Sequence, residues 1–119
     1  MSRCINTILQ HYLIAAIFTA GDGEFDHYGA DDFTQEARAK SREDIESFLQ
    51  QAKAQNIDTS LWSDEMLGHD FSLTRNGHGT GFWDRFSETP EPGEALSVIA
   101  RQFGEVYVYD CEDGTLSLE

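Results

Sequence analysis

His69, Asp70, His78 and Asp84 fall within one stretch of sixteen residues. Imidazole and carboxylate together are the donor set that suits zinc or iron. No two of the histidines stand four apart, as two ligands on one helix face would, and no ligand pair is repeated. His69 and Asp70 are therefore read as partners in local hydrogen bonding, and no metal or cofactor is assigned. Serine, histidine and aspartate are all present, but no G-x-S-x-G turn offers an activated nucleophile, and Cys4 and Cys111 have no base beside them in sequence. A small enzyme or metal-binding protein centred on His69, Asp70, His78 and Asp84 stands as the alternative reading.

The same stretch, "TRNGHGTGFWDR", holds Gly77, Gly79 and Gly81. A glycine-rich loop cradles phosphate when a helix N-terminus follows and supplies amide donors. Here Phe82 and Trp83 follow, which reads as a strand. The glycines are accordingly assigned to a bulged hairpin, with Asn76-Gly77 at its turn because both residues tolerate positive φ. Trp83 is a large apolar anchor beside Asp84 and Arg85. Arg75 and Arg85 are placed to pair with Asp70 or Asp84 across the hairpin, or Trp83 and Arg85 form an exposed recognition patch.

Charge dominates the composition. Eight Lys and Arg face 22 Asp and Glu, for a net charge of −14. Self-repulsion on that scale opposes folding, and it argues against nucleic acid or an anionic membrane as a direct partner. A basic protein surface or a cation is the natural counterpart. The 119 residues make one domain, 1–119, large enough for a sizeable core. Two cysteines at opposite ends of the chain, with no C-x-x-C, read as reduced thiols; one terminal bridge is the other reading.

The elements that must carry these groups follow from periodicity. Ile5, Ile8, Leu9, Tyr12, Leu13, Ala16 and Ile17 recur at helical spacing, which predicts a buried helix over 5–19 ended by Gly21. Gln10 and His11 interrupt the apolar run, which argues against a signal peptide, and the run is short for a membrane span. A glycine-punctuated acidic loop follows, with Asp22, Glu24, Asp26, Asp31 and Asp32. A second helix is predicted over about 33–55, capped by Asp32, with Ile45, Phe48, Leu49 and Ala52 inward. Its carboxylates Glu36, Glu43, Asp44 and Glu46 are read as outward-facing. A connector over 56–68, with room for one helical turn around 61–66, leads to the first hairpin, whose strands hold Phe71 and Leu73, then Phe82 and Trp83. A third helix over 93–103 and a second hairpin, "EVYVYD" returning as "TLSLE", complete the order. The expected class is α+β: about three helices packed on a small antiparallel sheet of about four strands, in two hairpins.

The run "GHDFSLTRNGHGTGFWDR" followed by "FGEVYVYDCEDGTL" resembles a family of small acidic proteins encoded by bacteriophages and prophages, whose members carry a "HDFxLTRNGHGxGFWDR" signature. The resemblance covers the C-terminal half; the N-terminal half shares only the outline of an apolar helix and an acidic segment. It implies a protein that works in the cytoplasm of a bacterial host against a host machine, of the anti-CRISPR or anti-restriction type, with mimicry of DNA as one route. It carries no catalytic residues. With the charge, it points to an inhibitor or modulator that docks on the basic nucleic-acid-binding groove of a host protein or nucleoprotein complex, either as a monomer or as a homodimer. Asp31, Asp32, Glu36, Glu43, Asp44 and Glu46 would supply the attraction, and Trp83 and Arg85 specificity.

Overall fold

The first helix, α1, spans Ile5–Thr19, as its spacing requires. Ile8, Leu9, Tyr12, Leu13, Ala16 and Ile17 are buried along one side. The computed structural model describes residues 3–20, 23, 25, 27–77, 82 and 90–119. A short 3-10 turn over Ala30–Asp32 leads into α2, Gln35–Ala54. Thr34 caps α2 by accepting a hydrogen bond from the Ala37 amide at 3.1 Å. Asp32 instead closes its own turn, taking the Gly29 amide at 2.7 Å.

The expected first hairpin is replaced by a helix. Asp64–Arg75 forms α3, with the Ser63 hydroxyl accepting from the Met66 amide and Asp64 and Glu65 in the first turn. Phe71 and Leu73, read as alternating strand residues, both lie within α3. Ser72 and Thr74, which alternate with them, are buried as well. A helix enclosed on most of its circumference loses the polar stripe that marks helical period, so alternation by chance passes for a strand. Asn76-Gly77 stops this helix and is not a hairpin turn. The Asn76 amide returns to the Ser72 carbonyl, and Gly77 takes φ +75, the left-handed conformation that favours glycine after a helix. The returning strand would have held Phe82, which is buried, and Trp83, which lies outside the described residues.

The last helix, α4, spans Pro90–Gln102 and ends at Gly104, φ +77. The second hairpin is present: β1, Val108–Asp110, pairs antiparallel with β2, Leu116–Leu118, in the register Val108 to Leu118. Among the described residues the regular structure is therefore four α-helices and one two-stranded sheet. The expectation of three helices on a four-stranded sheet is overturned.

α3 is central. Gly68 lets it approach α1 so closely that a Cβ there would meet the Ile8 carbonyl oxygen at 2.2 Å and the Tyr12 amide nitrogen at 2.9 Å. Above this contact the aromatic rings stack. Phe48 of α2 lies 4.5 Å from Phe71 and 5.3 Å from Phe82, nearly parallel to both, while Trp62 meets Phe82 edge-on at 5.9 Å. Such pairs add about 0.5–1.5 kcal/mol each beyond the area they bury. β2 joins α2 at its start, where the Thr34 amide donates to the Leu116 carbonyl at 2.9 Å. Among the described residues no helix is long and apolar enough to cross a membrane.

Candidate functional site: an acidic face and a groove beside it

The expected docking acids part into two groups. Asp31, Glu36, Glu43 and Glu46 are exposed, and Asp32 is half-buried. Asp44 is buried, at 8% exposure, and is corrected from a surface acid to a core one. Its Oδ2 accepts from Arg75 Nη1 at 2.9 Å, and its Oδ1 lies 3.2 Å from Lys40 Nζ. Arg75 is equally committed. It donates to the Tyr12 hydroxyl, the Gly104 carbonyl and the Phe103 carbonyl, and its guanidinium lies over the rings of Phe71 and Phe103. This arginine was expected to pair across a hairpin with Asp70 or Asp84. It pairs with Asp44 because α3 carries it inward.

The middle of α2 is less negative than its sequence implies. Lys40 faces Asp44, and Arg42 pairs with Glu46 at 3.3 Å while donating to Asn6. The uncompensated acids lie elsewhere. Residues 4–37 and 102–119 contain no Lys or Arg. The first stretch holds Asp31, Asp32 and Glu36, and the second holds Glu105, Asp110, Glu112, Asp113 and Glu119. The fold brings them together. Phe33 bridges to Leu116, and the Tyr28 hydroxyl donates to Asp110 Oδ2 at 3.0 Å. The Asp110 carboxylate, with Asp32 and Asp113 nearby, holds the Tyr28 hydroxyl above its ordinary pKa. Sequence reasoning counted the C-terminal acids but did not join them to the start of α2. That junction depends on a backbone bridge between residues 83 apart, which local pattern does not encode.

Asp70 is wholly buried and accepts from Trp62 Nε1 at 3.0 Å, while its Oδ1 lies 3.3 Å from His69 Nδ1. The expected local pairing of His69 with Asp70 is present. Its buried second partner, Trp62, was not foreseen. His78 and Asp84, the other members of the candidate metal set, lie outside the described residues, as do Trp83 and Arg85. Among the described residues no three His, Cys, Asp or Glu side chains gather as metal ligands would. Both cysteines are free thiols. Cys4, at the start of α1, has its pKa lowered by the Thr7 hydroxyl, which donates to its sulfur at 3.2 Å.

A groove of about 670 Å³ opens beside the acidic face, between α2 and the C-terminal segment. Arg75, Asp44 and Tyr12 form its floor, and Glu43 and Glu119 stand among its lining residues. No protein-family model matches the chain, and neither a curated protein nor a solved structure matches it.

Proposed function

We propose that this protein docks through its acidic face on a basic, nucleic-acid-binding surface of a partner protein and so inhibits or modulates it. One observation carries the reading. Two segments that contain no Lys or Arg are joined by the Phe33–Leu116 bridge, which places the start of α2 beside the C-terminal hairpin. Carboxylates collected in this way attract a basic surface and repel nucleic acid. The phosphates of duplex DNA carry one charge per about 1.7 Å, so a groove built for them is the surface most complementary to such a face. The resemblance to phage-encoded acidic proteins supports a bacterial host complex as the partner, of the CRISPR or restriction type, and the host cytoplasm as the place of action. The docking residues in this reading are Asp31, Asp32, Glu36, Glu43 and Glu46, together with Asp110, Glu112 and Asp113.

The test is competition. The protein is immobilised, host lysate is passed over it, and retained proteins are identified and purified. A retained protein that binds DNA or RNA should lose that binding as the acidic protein is added. If its nucleic-acid binding is unchanged at saturation, the proposal fails.

A further inference from the structure

We infer that the outer edge of β1 takes a basic, extended segment of the partner as a third strand, which rests on the docking reading above. The register decides which way the backbone of β1 points. Tyr107 and Glu119 exchange both main-chain bonds, at 2.8 Å and 2.9 Å, and the Cys111 amide donates to the Thr115 carbonyl at 3.0 Å. Tyr109 stands opposite Ser117 between these pairs. Bonded and non-bonded pairs alternate in an antiparallel ladder, so the amides and carbonyls of Val108 and Asp110 point away from β2. Among the described residues no strand lies on that side, and no main-chain bond reaches those four groups. β2 has no such opening, because the Thr34 amide occupies its far side at the Leu116 carbonyl. The outer edge of β1 is closed one step earlier, where the Val106 amide donates to Asn76 Oδ1 at 2.8 Å. The open run is therefore Val108 to Asp110.

Charge decides the occupant. An open edge is a template for any strand that reaches it, unless its side chains forbid the pairing. Residues 102–119 hold five acids and no base. Glu105 and Glu119 stand at one end of the hairpin, and Glu112 and Asp113 stand in its turn. A second copy would bring the same acids against these, so self-pairing is repelled, whereas a strand bearing arginine or lysine is attracted. The exposed face of β1 favours such a strand as well. Tyr107 and Tyr109 are two residues apart, on the same face, and are 63% and 43% exposed. Alternate side chains of an added strand would lie beside their rings, where a cation is held by the aromatic face. The Tyr107 hydroxyl donates to Glu105, which keeps a carboxylate at that end of the face. Main-chain bonds supply the grip, and the alternate positions select basic side chains.

The probe is the peptide acetyl-Arg-Val-Arg-Val-Arg-amide, added to the whole protein. Its control has the same side chains and charge but is N-methylated at its central residues, so it cannot donate to β1. The first peptide should slow hydrogen exchange at the Val108 and Asp110 amides, and the control should bind at least about tenfold more weakly. Val108→Pro removes an outward donor without touching the bonds to β2, and should weaken the first peptide about three- to tenfold with an unchanged circular dichroism spectrum. Tyr109→Ala should weaken it about two- to fivefold. Equal binding of the two peptides, or unchanged exchange at Val108 and Asp110, would overturn the inference whether or not the proline variant folds. A dimer of the protein alone that Val108→Pro dissociates would overturn it too, by giving the edge to a second copy. The docking reading fails on a different result, unchanged nucleic-acid binding by a retained partner. If that competition is seen while the peptides bind equally, only the edge assignment falls.

Discussion

The Arg75 guanidinium lies 2.9 Å from the Asp44 carboxylate, tying the last residue of α3 to the middle of α2 inside the protein. Both side chains are largely removed from water, so each depends on the other for its charge to be tolerated there. The pair also separates the acids of α2 into one that builds the fold and several that face outward.

Asp44→Asn and Glu43→Gln remove one negative charge each from neighbouring positions, yet they should differ sharply. The first leaves Arg75 without its counter-ion and should cost about 3–5 kcal/mol. The second, on the exposed side, should stay within about 0.5 kcal/mol. Urea unfolding followed by circular dichroism measures both. Arg75→Lys keeps the charge, but one ammonium cannot reach the Tyr12 hydroxyl, Asp44 and the two carbonyls together, so it too should destabilise.

Gly68→Ala tests the close approach of α1 and α3. Alanine is the better helix former by about 1 kcal/mol, so on propensity alone it should stabilise. The added Cβ, however, would sit 2.2 Å from a backbone oxygen of α1, which cannot turn aside as a side chain would. Overpacking of this kind costs about 1–3 kcal/mol or more, and the net result should be a lower melting temperature. A higher one would mean the two helices are not in contact at Gly68.

Three of the four helices and the final hairpin were legible in the sequence, and the reason is that each shows one apolar side. α1 has its spacing of three and four, and α4 has Leu96, Ile99 and a glycine stop. Beyond a single turn around 61–66, α3 was not legible, because Leu67, Gly68 and every residue from Asp70 to Arg75 are buried and no polar side remains to mark its period. Its cap was present in the sequence as Ser63 followed by Asp64 and Glu65, and Asn76-Gly77 marks its end as readily as it marks a hairpin. The acidic character of the site was equally plain. The burial of Asp44 was signalled only by its standing four residues before Phe48, on the inner stripe. The joining of the two base-free segments depends on the tertiary fold.

Alkaline stability should depend on Tyr12. Burial raises its hydroxyl above the ordinary value of 10.0, against the opposing pull of Arg75. In the unfolded chain the hydroxyl ionises at its ordinary value while in the folded protein it does not, so protons leave the unfolded state first. The contribution is complete below about pH 10 and is lost as pH rises from there through the folded-state pKa. Tyr12→Phe should cost about 1 kcal/mol at neutral pH, for the lost bond to Arg75, and should flatten the fall in stability above about pH 10. Urea midpoints of both proteins across that range check it.

The docking claim is tested most directly on a purified partner, by measuring affinity for the native protein and for one carrying Asp31→Asn, Glu36→Gln, Glu43→Gln, Glu46→Gln and Glu112→Gln. These are exposed acids outside the buried pair, so the helical spectrum should be unchanged. Affinity of the native protein should fall steeply between about 50 mM and about 200 mM salt, and the amide variant should bind about tenfold or more weakly with a shallower salt dependence. Equal affinity of the two proteins, unaffected by salt, would contradict an acidic docking face.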